Sequence, residues 1–249
     1  MFDRIVKLNK WFTVVLLILI SWSVLSFTQS KNESAEIVSY IVHPDKQEIA
    51  LYWKDDSGKI LKSIQALKLY TSSQNKELLF AMNAGMYQTD NSPLGLYIEN
   101  GKTITPLNTK SGDGNFYMKP NGIFYLTNTN KAVVCTTTDF KANSSIKYAT
   151  QSGPMLVING KIHPEFKEGS SRVNIRNGVG ILPDNSILFA ISKKEINFYD
   201  FANFFKNKGC KNALYLDGFV SRAYIPEKNW IQTDGNFGVM IGVTKQMKK

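Results

Sequence analysis

Three short runs carry the residue types that could act on a charged small molecule: Gln151-Ser152-Gly153-Pro154-Met155-Leu156-Val157, Arg176-Asn177-Gly178-Val179-Gly180 and Tyr215-Leu216-Asp217-Gly218. In each, a strand-like apolar stretch adjoins polar and glycine residues. Asp217 closes such a stretch, at the carboxyl end of a strand, where ligand crevices tend to form. A carboxylate there can act as nucleophile, base or electrostatic stabiliser, or it can simply shape an Asp-Gly turn. Arg176 presents a planar fork of donors that matches an anion, with a structural ion pair as the alternative. Arg172 and Lys119 are further cations, and Ser152 and Ser221 are hydroxyl donors. The main-chain amides around Gly153, Asn177 and Gly218 can line an anion site. Asn83 follows an apolar run and precedes Ala84-Gly85; it could bind a hydroxyl or hold a turn.

The remaining chemistry is thin. His43 and His163 are the sole histidines and each precedes a proline, so a Ser-His-Asp triad would depend on one of them. Cys135 and Cys210 form no C-x-x-C pair, and no ligand set for zinc exists. A Cys135–Cys210 disulfide is open outside the cytoplasm, although spacing does not place the two thiols together. No redox or nucleotide cofactor is implied, and no ligand cluster supports a divalent cation.

The elements that must position these groups read as a sheet-rich body. The chain has 249 residues, 43% of them hydrophobic, with 15 Phe and 11 Tyr. That is enough for a core, and the aromatic content suits pleated, half-buried surfaces. Asn100-Gly101 and Asn159-Gly160 mark tight hairpins, 94–99 with 102–106 and 155–158 with 161–162. Further hairpins are expected at 122–127 with 132–136, at 179–182 with 187–191, and across 36–53 around His43-Pro44-Asp45. Strands are also expected at 77–81, 213–216 and 239–243. Apolar spacing predicts a helix over 61–73. A second is expected over 198–208, with Phe198, Phe201, Phe204 and Phe205 on one face, Asn197 as cap and Gly209 as stop. Strand 187–191, this helix and strand 213–216 could form a right-handed crossover. The expected fold class is α+β: a single domain with a large mainly antiparallel or mixed β-sheet and two or three helices, preceded by an N-terminal apolar helix.

Residues 1–10 form a basic n-region, 11–27 an apolar run interrupted by Thr13, Ser21, Ser23 and Ser26, 28–35 a polar linker, and 36–249 the body. As a helix the apolar run would span about 26 Å, close to a hydrocarbon core of about 30 Å. No A-x-A site follows it, and no Cys for a lipid anchor. The expectation is an uncleaved signal anchor, with a cleaved signal peptide as the alternative. Either places the body outside the cytoplasm, in the cell envelope. The net charge of +10 owes only +2 to the first 30 residues; the rest is scattered. An anionic partner and an ordinary lysine-rich surface both fit. The charge forms no basic arm and no nucleic-acid motif is present, so no nucleic-acid partner is expected.

Taken together, five runs resemble the phosphodiester glycosidase family: Phe80-Ala-Met-Asn-Ala-Gly-Met86, Gly114-Asn-Phe-Tyr-Met-Lys-Pro-Asn-Gly122, the 151–157 run, the 176–180 run, and Ala213-Leu-Tyr-Leu-Asp-Gly218 with Ser221. They span about residues 37–243. The resemblance implies hydrolysis of the bond between a sugar anomeric carbon and a phosphodiester oxygen, through an oxocarbenium-like state. The leaving phosphate is already delocalised, so one carboxylate and cations near the phosphate can do much of the work. For that reaction the residue types single out Asp217 and Asn83 as candidate catalytic residues, and Arg176, Arg172, Ser152, Gly153, Asn177, Gly218, Ser221 and Lys119 as candidate contacts to a sugar-phosphate substrate. A second carboxylate could be Glu165, Glu168 or Asp113, and His163 could shuttle a proton. Many relatives read Asp-Gly-Gly before a small residue and Ser; here Phe219 takes the second glycine's place, which would narrow or re-aim the pocket. The alternative function is a non-catalytic envelope protein that binds sugar-phosphate polymers on the same scaffold.

Overall fold

The computed structural model describes residues 36–217 and 220–248. The expected apolar helix at 11–27 and linker at 28–35 lie outside them, as do Gly218 and Phe219. Among the described residues no helix is long and apolar enough to cross a membrane. Val38–Lys249 is the compact unit.

The body is a single domain of mainly antiparallel strands with two α-helices, but its strands divide into three sheets rather than one. The first joins, in order, β1 (Ile37–Val42), β12 (Ile187–Ser192), β11 (Asn177–Ile181), β13 (Ala213–Tyr215), β9 (Met155–Ile158) and β10 (Lys161–Ile162). The second joins β15 (Trp230–Ile231), β14 (Ala223–Ile225), β3 (Lys76–Asn83), β16 (Met240–Gln246) and β2 (Glu48–Tyr52). The third joins β5 (Lys102–Thr105), β4 (Tyr97–Glu99), β8 (Ile146–Ser152), β6 (Gly122–Thr127) and β7 (Ala132–Thr136).

One core serves all three. Tyr40 stacks on Phe80 at 4.8 Å, Phe80 on Phe189 at 4.9 Å, and Phe124 meets Phe189 edge-on at 6.0 Å. The rings come from β1, β3, β12 and β6, so each sheet contributes to a single aromatic cluster. Such ring pairs add specific geometry to the area they bury.

Asn-Gly turns behave as their chemistry requires. Asn100 and Gly101 have φ of 49° and 79°, and Asn159 and Gly160 have 50° and 79°. Both central residues are left-handed, as a two-residue hairpin of this kind demands. The 36–53 segment, in contrast, is not a hairpin. β1 and β2 enter different sheets, while Tyr40, Val42, Ile49 and Leu51 pack into the same core cluster. His43–Gln47 therefore arches between layers; the His43 carbonyl accepts from Lys46 N at 2.9 Å and Gln47 N at 3.0 Å.

The helices form where spacing and caps place them. Ser63 accepts from Ala66 N at 3.2 Å and caps α1 (Ile64–Ser73). That start is later than expected because Lys62 has φ of 64°. Asn197 accepts from Asp200 N at 2.9 Å and caps α2 (Phe198–Asn207), and Gly209 follows at φ of 85°. α2 connects β12 to β13. Both strands run antiparallel to β11, so they are parallel to each other, but β11 lies between them. This arrangement brings the end of β13 beside the start of β11, and with it Asp217 beside Asn177.

Candidate active site

β8 has no clear alternation in the sequence, since its last three residues are Thr150, Gln151 and Ser152. All three are buried and each has a defined partner. Thr150 Oγ1 donates to Ala84 O at 3.2 Å. Gln151 Oε1 accepts from Leu96 N at 3.0 Å and Asn108 N at 2.9 Å. Ser152 Oγ donates to Leu216 O. The polar end of β8 thus fastens the end of β3 and the end of β13.

At that junction lies a closed cluster of side-chain amides around Asp217, which is 7% exposed. Asn177 Oδ1 accepts from Asp217 N at 3.0 Å, and Asn177 Nδ2 donates to Asn83 O at 3.0 Å and to Asn83 Oδ1 at 2.9 Å. Asn83 Oδ1 also accepts from Arg222 N at 2.9 Å. Its Nδ2 donates to Asp217 Oδ2 at 3.2 Å. Main-chain groups fix both amide orientations: a main-chain N–H can only donate and a carbonyl can only accept. Asn83 must therefore turn its NH2 toward the carboxylate. Ser221 Oγ donates to Asp217 O at 2.8 Å and lies 3.3 Å from Ile175 O.

Gly153 brings a second segment to this place. A Cβ there would lie 2.7 Å from Asn121 Cβ and 2.9 Å from Phe116 O, so the close approach of the Gly114–Gly122 run requires glycine. Pro154 O accepts from Tyr215 N at 3.1 Å and Pro120 O from Met155 N at 2.9 Å. Main-chain bonds therefore stitch the 114–122, 151–157 and 213–217 runs side by side.

Arg176 precedes β11 and is 1% exposed. Its guanidinium stacks 3.6 Å above the Phe198 ring. Nε donates to Ile196 O at 2.7 Å, Nη2 to Arg172 O at 3.1 Å and Nη1 to Tyr215 Oη at 3.4 Å. Among the described residues it forms no ion pair. Burial pushes its pKa down and Tyr215 pulls it back up. The Tyr215 phenol is pushed up by burial, with Arg176 opposing and Asp217 adding to the rise. Tyr215 thus contacts the buried cation directly and precedes the carboxylate by two residues in the chain.

The stack continues away from the site. Phe198 stacks on Phe166 at 4.7 Å and Phe166 on His163 at 4.7 Å. His163 Nδ1 accepts from Glu165 N at 3.2 Å, and its buried Nε2 makes no hydrogen bond of ordinary geometry among the described residues. Burial pushes the His163 pKa down, against the Lys119 main chain and Glu165. In this position His163 supports the column.

The sequence candidates thus separate. Asn83, Asn177, Asp217, Ser152 and Ser221 meet in one place, with Gly153 beside them. The hydroxyl protons of Ser152 and Ser221 go to main-chain carbonyls. Arg172, Lys119, Glu165, Glu168 and Asp113 are exposed. Lys119 Nζ reaches Thr109 O at 3.3 Å and Ser111 Oγ at 3.4 Å, at the rim of a 400 Å³ hollow that Pro120, Asn121, Thr137 and Thr138 also line. Both cysteines are free thiols, so no Cys135–Cys210 disulfide forms. The described residues contain no group of three or more His, Cys, Asp or Glu able to hold a metal ion.

Two residues at the site were not singled out by sequence reasoning. Tyr87 closes the run that begins at Asn83, is half-buried, and packs on the same apolar cluster as Val220. Its phenol is pushed up to about 12, first by burial and then by Asp217. Arg222 directly follows Ser221 and binds Asn83 through its main chain. Adjacency to the quoted runs was the available signal for both.

Comparisons with known proteins identify the family. The family model described as phosphodiester glycosidase matches residues 76–244, which include every residue of the amide cluster. The chain belongs to the phosphodiester glycosidase family. It is 39% identical over 190 residues to the uncharacterized protein YigE of Escherichia coli (strain K12), covering 76% of this chain and 74% of that protein. Its fold is similar to the catalytic domain of zebrafish N-acetylglucosamine-1-phosphodiester alpha-N-acetylglucosaminidase, solved auto-inhibited by its pro-peptide. That match has a TM-score of 0.53 at 15% identity, over 84% of this chain and 88% of that one. A putative exported protein from Burkholderia pseudomallei K96243 matches with a TM-score of 0.54 at 9% identity, over 83% and 73% of the two chains. At these identities the structural matches speak for the fold.

Proposed function

We propose that this protein hydrolyses the bond between a sugar anomeric carbon and a phosphodiester oxygen, with Asp217 as the reacting carboxylate. The observation that carries the reading is the Asn83–Asn177–Asp217 cluster within a phosphodiester glycosidase scaffold. A turn-forming Asp needs no such shell. Here two amides, both locked by main-chain groups, hold one carboxylate oxygen and the main-chain N–H of the same residue. Preorganised dipoles of this kind favour charge developing at a fixed place.

In this reading Asp217 faces the positive charge that grows on the anomeric carbon, as nucleophile or as ion partner. Asn83 positions it by donating to Oδ2. Arg176, hydrogen-bonded to Tyr215 Oη, braces the end of β13 that leads to Asp217. Tyr87, held protonated at neutral pH, is a further hydrogen-bond donor available to the substrate. The family match also motivates the substrate class, a carbohydrate phosphodiester. The reading further places the body in the cell envelope, single-pass anchored through residues 11–27, on the basic n-region and apolar run. Fractionation with N-terminal sequencing tests that part; a soluble product beginning near Thr28 to Lys31 would remove the anchor.

The test of the activity is incubation of the purified protein with an activated sugar-1-phosphodiester. The expected products are the free sugar and a phosphate monoester in equal amounts. Saturable binding without release would instead identify a non-catalytic binder of sugar phosphates.

A further inference from the structure

A phosphodiester brings a negative charge next to the Asp217 carboxylate, and the two repel unless a cation stands between or beside them. Arg176 does not present itself: its guanidinium is enclosed by Phe198, Tyr215 and main-chain carbonyls. Arg222 differs in each respect. Its main-chain N–H binds Asn83 Oδ1 at 2.9 Å, while the other end of the same amide binds Asp217 Oδ2 at 3.2 Å. A single side-chain amide therefore spans the Arg222 main chain and the Asp217 carboxylate.

The Arg222 side chain is 32% exposed. Nε donates to both carboxylate oxygens of Asp234 at 2.9 Å, and Nη1 donates to Ser221 O at 3.0 Å. A guanidinium has five N–H donors, so three are left unclaimed among the described residues, and they share the planar fork. The bond to Ser221 O folds the head back onto the main chain beside Ser221. Asp234 is itself well exposed, so this ion pair is weak and serves mainly to orient the fork.

Resting on the hydrolase reading above, we propose that Arg222 is the anion-binding residue of this site. Its unclaimed guanidinium edge takes the non-bridging oxygens of the substrate's phosphodiester. Asp234 holds the opposite edge, and the Asn83 amide sets the distance from that anion to Asp217. The arrangement fits an anionic diester with an exposed aglycone, because Arg222 lies on the solvent side of the cluster. Two or three charge-assisted hydrogen bonds of this type bring planar specificity that a lysine does not supply.

The test uses Arg222→Met and Arg222→Lys in the full chain. Both keep the main-chain N–H on Asn83, so the amide cluster and the melting temperature should be retained. With an activated sugar-1-phosphodiester, Arg222→Met should lower kcat/KM about 10- to 100-fold, mostly through KM, as expected for lost hydrogen bonds to a charged group. Arg222→Lys should fall between it and the wild type. Calorimetry with inorganic phosphate gives a readout that needs no turnover: the wild type should bind it, and Arg222→Met should bind it at least about 10-fold more weakly. Phosphate binding and kcat/KM within about twofold of wild type in Arg222→Met would overturn the assignment while leaving the hydrolase reading intact. Failure of the wild type to bind phosphate would overturn it as well. A wild type that binds phosphate through Arg222 but releases no sugar would instead sink the hydrolase reading and keep the anion site.

Discussion

The cluster around Asp217 and the column from Arg176 to His163 are both buried and polar, yet they treat their polar ends in opposite ways. In the cluster, Asn83 and Asn177 pass donors to acceptors until each amide oxygen ends on a main-chain N–H. In the column, a guanidinium lies flat on Phe198 and the His163 ring lies flat on Phe166, with Nε2 making no hydrogen bond of ordinary geometry among the described residues. A closed network fixes direction, since one broken link leaves a buried group unsatisfied. An aromatic column fixes position through packing and tolerates a loose end. The difference teaches which residues should act on substrate and which should act on stability.

That contrast can be broken at several points. The largest effect is expected from Asn83→Asp. It removes the donor to Asp217 and places a second carboxylate against it, so one of the two must take up a proton. Turnover at neutral pH should fall at least ~100-fold. Near-normal rates would show that the amide does not hold the reacting carboxylate.

Arg176→Lys addresses the column. An ammonium cannot stack flat on Phe198 or reach Ile196 O, Arg172 O and Tyr215 Oη together. Loss of these contacts should cost about 1–3 kcal/mol, or roughly 2–4 °C in Tm per kcal/mol for a domain of this size. Activity should fall by the same factor for the phosphodiester as for affinity toward a neutral sugar analogue. A loss confined to the phosphodiester would put this guanidinium on the substrate and return it to the role its sequence position suggested.

Tyr87→Phe should be milder. It keeps the packing against the apolar cluster shared with Val220 and removes only the hydroxyl, so kcat/KM should fall about 10-fold with Tm unchanged. A Tm loss with unchanged kinetics would move Tyr87 from the site to the scaffold.

The smallest effect concerns pH. His163 has its pKa lowered in the fold by burial, so the unfolded chain binds the proton more readily. Its contribution to stability is complete above the unfolded value of about 6.5 and is lost as pH falls through that value toward the folded one. Urea midpoints measured at pH 7.5 and 5.5 should therefore drop more in the wild type than in His163→Phe. Equal drops would show that the ring is hydrated or paired.

Much of the scaffold could be read from local chemistry. Asn-Gly turns, the Asn197 cap and the aromatic face of α2 depend on neighbours in sequence, and they form as expected. The division into three sheets does not: His43-Pro44-Asp45 reverses the chain equally well in a hairpin or an arch, and only the shared core selects the arch. β8 was illegible because Thr150, Gln151 and Ser152 are buried by partners far along the chain. The site shows the same limit. Asp217 and Asn83 carry their positions in the sequence, at the ends of apolar runs. The diversion of the Ser152 and Ser221 hydroxyls to carbonyls, the enclosure of Arg176 and the exposure of Arg222 all depend on tertiary contacts.

The central claim is that Asp217 is a reacting group and not a turn residue. Steady-state hydrolysis of an activated sugar-1-phosphodiester by wild type and Asp217→Asn, with Tm recorded for both, tests it most directly. The amide introduced by Asp217→Asn can still accept from Asn83, and the main-chain N–H at that position can still bind Asn177, so the fold should persist. The account predicts a fall in kcat of at least ~100-fold with Tm nearly unchanged. An Asp217→Asn protein that hydrolyses the diester at close to the wild-type rate would contradict it.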